Sequence, residues 1–239
     1  MIILLCIVLI VTSGLKLYNQ QGKSAGLGLK QGDDFQPYFF KNVLPYYSHV
    51  NSTKTSISKA TWNNGAIEIL FLDAPKNRQD ISKVLYVFGK YLIPGFSIVV
   101  MQDYLYAPSY SIATVVGANL DKLELCHTVT GTSTAAYTVT GRFDLPSIPS
   151  EWNFTTWSNK KVLGTWEKVL ADFPEIPRGF LEPGLSMLFY DRGEIDLACE
   201  LIQNVKFKDE ALERWKFLSR HSYSRNRYEK LFEVTGMTQ

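Results

Sequence analysis

Asp73 and Asp103 each close an apolar run, IEILFLD at 67–73 and SIVVMQD at 97–103. Runs of this kind read as parallel strands covered on both faces, and the stretch from Asn77 to Leu92 between them has the length of a crossover helix. In an open α/β sheet, ligands collect outside the carboxyl ends of the strands. Two carboxylates there can offer oxygen ligands to a divalent cation, accept a proton, or orient a polar ligand. Each could equally do no more than cap the turn or helix that follows it. Gln102 and Tyr104 flank the second carboxylate, where they would contact a substrate or pack against the sheet.

The elements that must hold these residues follow in a regular order. FQPYFFKNVLPYY at 35–47 spaces its aromatic and aliphatic residues as on one helix face, with Pro37 tolerable in a first turn behind Asp33 and Asp34. A strand is expected at 48–55 and another at 66–73, after the turn signal Asn63-Asn64-Gly65. A helix at 77–92 is broken by Pro94-Gly95 before the strand 97–103, and a helix at 106–120 leads to the strand pair LELCHTVT and TAAYTVTGRF.

Beyond Asp144 the composition changes, so the chain divides into an α/β region at 1–144 and a helical region at 145–239. SNKKVLGTWEKVLADF at 158–173 reads as an amphipathic helix. After Pro174, Pro177 and Pro183, the run GLSMLFYDRGEIDLACELIQNV predicts two antiparallel helices turning at Asp191-Arg192-Gly193, a hairpin resembling one unit of a tetratricopeptide array. A single unit cannot bury its own face, so it must pack on the sheet or on a protein partner, a second copy included. Helices at 207–220 and 222–234 complete the region.

The order of elements, and the phrases IEILFLDAPK and LIPGFSIVVMQDY in particular, resemble the later part of a class I S-adenosylmethionine-dependent methyltransferase of the macrocin O-methyltransferase type. The resemblance covers about residues 30–143. It implies a Rossmann-like sheet whose last strand inserts antiparallel to otherwise parallel neighbours. It also implies S-adenosylmethionine as cofactor, methyl transfer to a hydroxyl of a small molecule or sugar, and Asp73 and Asp103 as catalytic or magnesium-binding residues beside that hydroxyl. Gln102 and Tyr104 would then lie near the substrate. No residue is assigned to the cofactor. The family's first strand, its glycine-rich turn and the acid that ends its second strand have no counterpart in MIILLCIVLIV, which implies a truncated, inactive or repurposed member. An inactive member would serve as a binding or scaffold protein.

Composition excludes other classes. A formal charge of +2 does not argue for nucleic acid, and the basic excess after Lys206 reads as a solvated helix face. Cys6, Cys126 and Cys199 are odd in number and form no CxxC pair, and His49, His127 and His221 are equally scattered, so neither a disulfide framework nor a zinc site is expected. Gly22-Lys23-Ser24, within the glycine-rich stretch 20–34, resembles the end of a phosphate loop, but Leu17 stands where the first glycine belongs. The apolar segment at 1–14 is too short to span a membrane; it reads as a buried strand, which fits a cytoplasmic protein, or as a signal or membrane-associated segment of an exported one.

Overall fold

The apolar runs that end in the two aspartates are neighbouring parallel strands of a four-stranded mixed sheet. The computed structural model describes residues 55–73, 75–129, 131–143, 153–173 and 175–237, together with Lys41, Pro45 and Thr53. The expected helix at 35–47 and strand at 48–55 lie almost wholly outside the described residues, and the glycine-rich stretch 20–34 and the apolar segment 1–14 lie wholly outside them.

Strand β1 (Ile69–Leu72) and strand β2 (Ile98–Met101) pair in parallel, with Ile69 opposite Ile98 and Leu72 opposite Met101. Helix α1 (Arg78–Phe88) makes the crossover. Asn77 caps it by accepting from the Asp80 N–H, 2.9 Å, and Ile81, Val84, Leu85 and Phe88 recur at helical spacing to bury one face. The helix gives way to a 3-10 turn, Gly89–Tyr91, and Gly95 takes the left-handed conformation (φ 76°) that turns the chain into β2.

A 3-10 turn at Ala107–Ser109 precedes helix α2 (Tyr110–Gly117), so the element expected at 106–120 is shorter and tighter at its start. Strands β3 (Leu123–Thr128) and β4 (Ala135–Val139) form an antiparallel hairpin, and β4 lies between β2 and β3 to give the order β1-β2-β4-β3. The last strand therefore runs antiparallel to both neighbours. The edge strand β3 carries exposed Glu124 and His127 and a register shift between Leu125 and His127, features that discourage edge-to-edge pairing.

Burial corrects one expectation. Leu70, Leu72, Val99 and Met101 are sealed, but Ile69, Phe71, Ile98 and Val100 on the opposite face are only half-buried. Because the pleat alternates side chains between faces, the helices described so far enclose one side of the strands completely and the other incompletely.

The helical region begins with α3 (Asn159–Ala171), followed by α4 (Glu175–Asp191) and α5 (Ile195–Gln203). Helix α4 starts well before Pro183, which the sequence had marked as a break. Pro183 has no N–H to offer the Gly179 carbonyl, yet the helix continues through it because Phe180 and Leu181 before it and Met187, Leu188 and Phe189 after it are all buried. The turn between α4 and α5 falls where expected, with Gly193 at φ 80°. Arg192 secures it: its guanidinium donates to the Trp157 carbonyl (2.8 Å) and to Asn159 Oδ1 (2.9 Å) and pairs with Glu194 (3.0 Å). Helix α6 (Asp209–Arg220) is followed by α7 (Ser222–Arg227) and α8 (Glu229–Val234), which are separated at Tyr228 where one helix was expected. Tyr228 leaves helical geometry (φ −121°, ψ 30°) with its ring buried against Tyr190.

The hydrophobic core runs continuously from the sheet into these helices. Trp166 of α3 is fully buried and donates to Thr114 Oγ1 of α2 at 3.1 Å. The Asp191 carboxylate, at the end of α4, accepts from Tyr110 (2.6 Å), from Tyr228 (2.8 Å) and from two nitrogens of Arg227 (3.0 and 2.9 Å). The hairpin thus packs on the 3-10 turn at Ala107–Ser109, on α2 and on α3, α6 and α8 of its own chain.

Gly117 sits where α2 and α3 cross most closely. A Cβ there would lie 2.4 Å from Val169 Cγ2 and 2.9 Å from Thr165 Cγ2, both on stiff β-branched side chains. Gly117→Ala should therefore destabilise the chain by about 1–3 kcal/mol, although alanine is the better helix former by about 1 kcal/mol. A lower urea midpoint with an unchanged slope is the expected result, and equal or greater stability would show that the helices can separate at no cost.

Burial pushes the hydroxyls of Tyr104, Tyr110, Tyr137 and Tyr228 well above the usual tyrosine range, and the Asp191 carboxylate reinforces this at Tyr110 and Tyr228. The folded chain keeps protons that the unfolded chain releases above about pH 10, so this stabilisation is complete below that pH and is lost as pH rises further. In an alkaline titration the exposed tyrosines should ionise first, and a second rise in tyrosinate absorbance should coincide with loss of the helical circular dichroism. Complete ionisation with the helical signal intact would contradict the burial of these groups.

Candidate functional site

Parallel pairing sends β1 and β2 out of the sheet on the same edge, and both aspartates emerge there. Asp73 follows β1 directly, while the Gln102 N–H extends the ladder to the Leu72 carbonyl (2.9 Å) before Asp103 turns. Asp103 is in the left-handed region at φ 60°, which costs a residue with a side chain roughly 1–2 kcal/mol but is most accessible to Asn and Asp. The turn is closed by the Tyr106 N–H donating to the Asp103 carbonyl at 3.2 Å.

The two carboxylates are brought together, and Lys76 lies between them. Its ammonium is 3.3 Å from Asp73 Oδ1 and 2.5 Å from Asp103 Oδ2. Lys76 belongs to the short link between β1 and α1, three residues after Asp73, so the strand tip that delivers the first carboxylate delivers the cation as well. The side chains of Asp73, Lys76 and Asp103 are 48, 43 and 29% exposed, and exposed pairs of this kind contribute at most about 1 kcal/mol each. Stability does not account for the arrangement.

The trio can hold a hydroxyl between an anion and a cation, accept a proton on a carboxylate, or bind a cationic group. It is less suited to magnesium as it stands, since the Lys76 ammonium occupies the space between the two oxygens. Among the described residues no group of three or more His, Cys, Asp or Glu side chains is placed to hold a metal ion.

The flanking residues separate. Gln102 is half-buried at the edge, and its side-chain amide has no hydrogen bond among the described residues. Tyr104 is in the core: it is 1% exposed, its ring stacks on Phe173 at 5.6 Å and tilts against Tyr137 at 5.4 Å. Packing, not substrate contact, is its place in this structure. The Tyr104 and Tyr137 hydroxyls influence each other electrostatically without a well-aligned hydrogen bond, so neither is fully satisfied.

Sequence reasoning missed Lys76. The signal was present in IEILFLDAPK, where a lysine three residues beyond a strand-tip aspartate can fold back over it, but a lysine in a loop is ordinarily solvated. Among the described residues no helix is long and apolar enough to cross a membrane. Compared with protein-family models, with curated proteins and with solved structures, the chain matches none.

The backbone at Asp103 gives a direct test. Asp103→Asn keeps a side chain tolerant of the left-handed region and should lose less than about 1 kcal/mol, the most that an exposed ion pair contributes. Asp103→Ala should lose about 1–2 kcal/mol, and Asp103→Gly should recover most of that difference. Urea unfolding of the three variants checks the order; equal losses for Asn and Ala would remove backbone strain from the account.

Proposed function

We propose that the chain is a methyltransferase-like protein of the class I, S-adenosylmethionine-dependent type, acting on a hydroxyl of a small molecule or sugar at the carboxyl edge of its sheet. The observation that carries this reading is the strand order β1-β2-β4-β3 with β4 antiparallel, together with an aspartate at the tip of each parallel strand. That order fits the later half of the family's sheet, in which the last strand inserts antiparallel.

S-adenosylmethionine, when bound, supplies an electrophilic methyl group on a sulfonium. MIILLCIVLIV offers no counterpart to the family's glycine turn or second-strand acid, and no residue is assigned to the cofactor. This chain's own groups have distinct tasks. Asp103 would accept the proton of the substrate's hydroxyl oxygen. Lys76 holds the carboxylates in place and steadies the negative charge that develops on that oxygen, and Asp73 fixes Lys76. The trio carries a net charge of −1 when its members are ionised, which favours a cationic sulfonium nearby. Magnesium would first have to displace Lys76.

A second reading is favoured by one observation. Lys76 already neutralises one of the two carboxylates, and such a closed ion-pair group suits a sheet that binds a partner or small molecule without turnover.

Calorimetric titration of the full chain with S-adenosylhomocysteine, with and without magnesium, separates the two. Saturable binding at micromolar concentration is the expected result, and in that case Asp73→Ala and Asp103→Ala should abolish methyl transfer while unfolding remains cooperative. Binding that requires magnesium would return the aspartates to a metal role. A well-folded chain that takes up no S-adenosylhomocysteine would leave the binding or scaffold reading.

A further inference from the structure

Past Asp103 the chain turns away from the carboxylates and borders a cavity of about 210 Å³. Leu105 beyond β2, Phe180 and Pro183 of α4, and Leu218 of α6 give it an apolar lining. Arg214 of α6 brings a charge to this wall. Its guanidinium lies 4.3 Å over the Phe180 ring, and Nη1 donates to Ser133 Oγ of the β3–β4 turn at 2.8 Å.

The partners of Arg214 are both uncharged. Arg178 pairs with Glu182, Arg192 with Glu194 and Arg227 with Asp191, whereas Arg214 has no carboxylate partner among the described residues. It is held by a neutral hydroxyl and an aromatic face alone. A guanidinium offers five N–H donors in a planar fork that matches a carboxylate, and beside an apolar wall an approaching anion meets less competing water.

We infer that this cavity binds a small apolar carboxylate, with its head on Arg214 and its hydrocarbon body against Leu105, Phe180, Pro183 and Leu218. The volume exceeds the roughly 150 Å³ that suffices for benzene, so it has room for a ring with a short acid side chain or for a comparable alkyl chain. The site is distinct from the Asp73–Lys76–Asp103 group and does not depend on whether the chain takes S-adenosylmethionine.

The test is calorimetric titration of the full chain with 3-phenylpropionate and with hexanoate, each beside its neutral alcohol, 3-phenylpropanol and 1-hexanol. At least one acid should bind saturably at one site and at least tenfold more tightly than its alcohol, as a charge-assisted hydrogen bond supplies. The tighter of the two acids identifies an aromatic or an aliphatic body. Arg214→Gln, with a cooperative thermal transition, should weaken that acid at least tenfold. Alcohols that bind as tightly as the acids, no binding of either acid to the folded wild-type chain, or unchanged affinity in folded Arg214→Gln would each overturn the assignment. The comparison of acid with alcohol uses the unaltered chain, so it decides the matter even if the variant does not fold.

Discussion

Everything at the carboxyl edge depends on β1 and β2 being parallel. Each strand has only four residues, and neighbouring strands lie about 4.8 Å apart, so the side chains just beyond their tips have little room to diverge. An antiparallel pair would send the two aspartates to opposite ends of the sheet. The parallel arrangement requires a crossover, which α1 supplies through its Asn77 cap and its buried face of Ile81, Val84, Leu85 and Phe88. The carboxylate pair is thus a consequence of the helix as much as of the strands.

The helical region is bound to this sheet by polar contacts set within apolar ones. Trp166 reaches Thr114, Arg214 reaches Ser133, and the Asp191 carboxylate gathers Tyr110 from α2, Arg227 from the end of α7 and Tyr228 from the break that follows it. A helix hairpin with an apolar face needs cover, and α2, the 3-10 turn before it and the neighbouring helices supply cover within the chain. Along the hairpin Leu185, Leu188, Phe189 and Ala198 are buried, whereas Leu197 and Leu201 are only half-buried.

The elements that could be read from sequence were those whose signals are local. Both strand tips, the crossover helix, the β3–β4 pair and the Gly193 turn are encoded in runs, caps and glycines within a few residues of where they act. What was not legible depends on contacts between distant segments. The passage of α4 through Pro183 rests on burial on both sides of the proline, and the split at Tyr228 accompanies a hydroxyl bond to Asp191. At the candidate site the two carboxylates were visible as strand endings, but the Lys76 bridge to Asp103 spans 27 residues and exists only once the strands are paired.

Two aspartates show what separates a carboxylate that holds a fold from one that is free to act. Asp191 is 16% exposed and accepts from three side chains, so its lone pairs are occupied and its neighbours would be left unpaired without it. Asp103 is more open, has one charged partner on a flexible stem, and is presented by a backbone conformation that most residues avoid. A lysine at an exposed site can swing aside at small cost, whereas removing one donor from Asp191 leaves a hydrogen bond of a joined group unmade. The first arrangement is rigid because it is satisfied. The second keeps a carboxylate and an ammonium in register at the sheet edge while leaving both able to take a new partner, which is the condition that proton transfer or ligand capture requires.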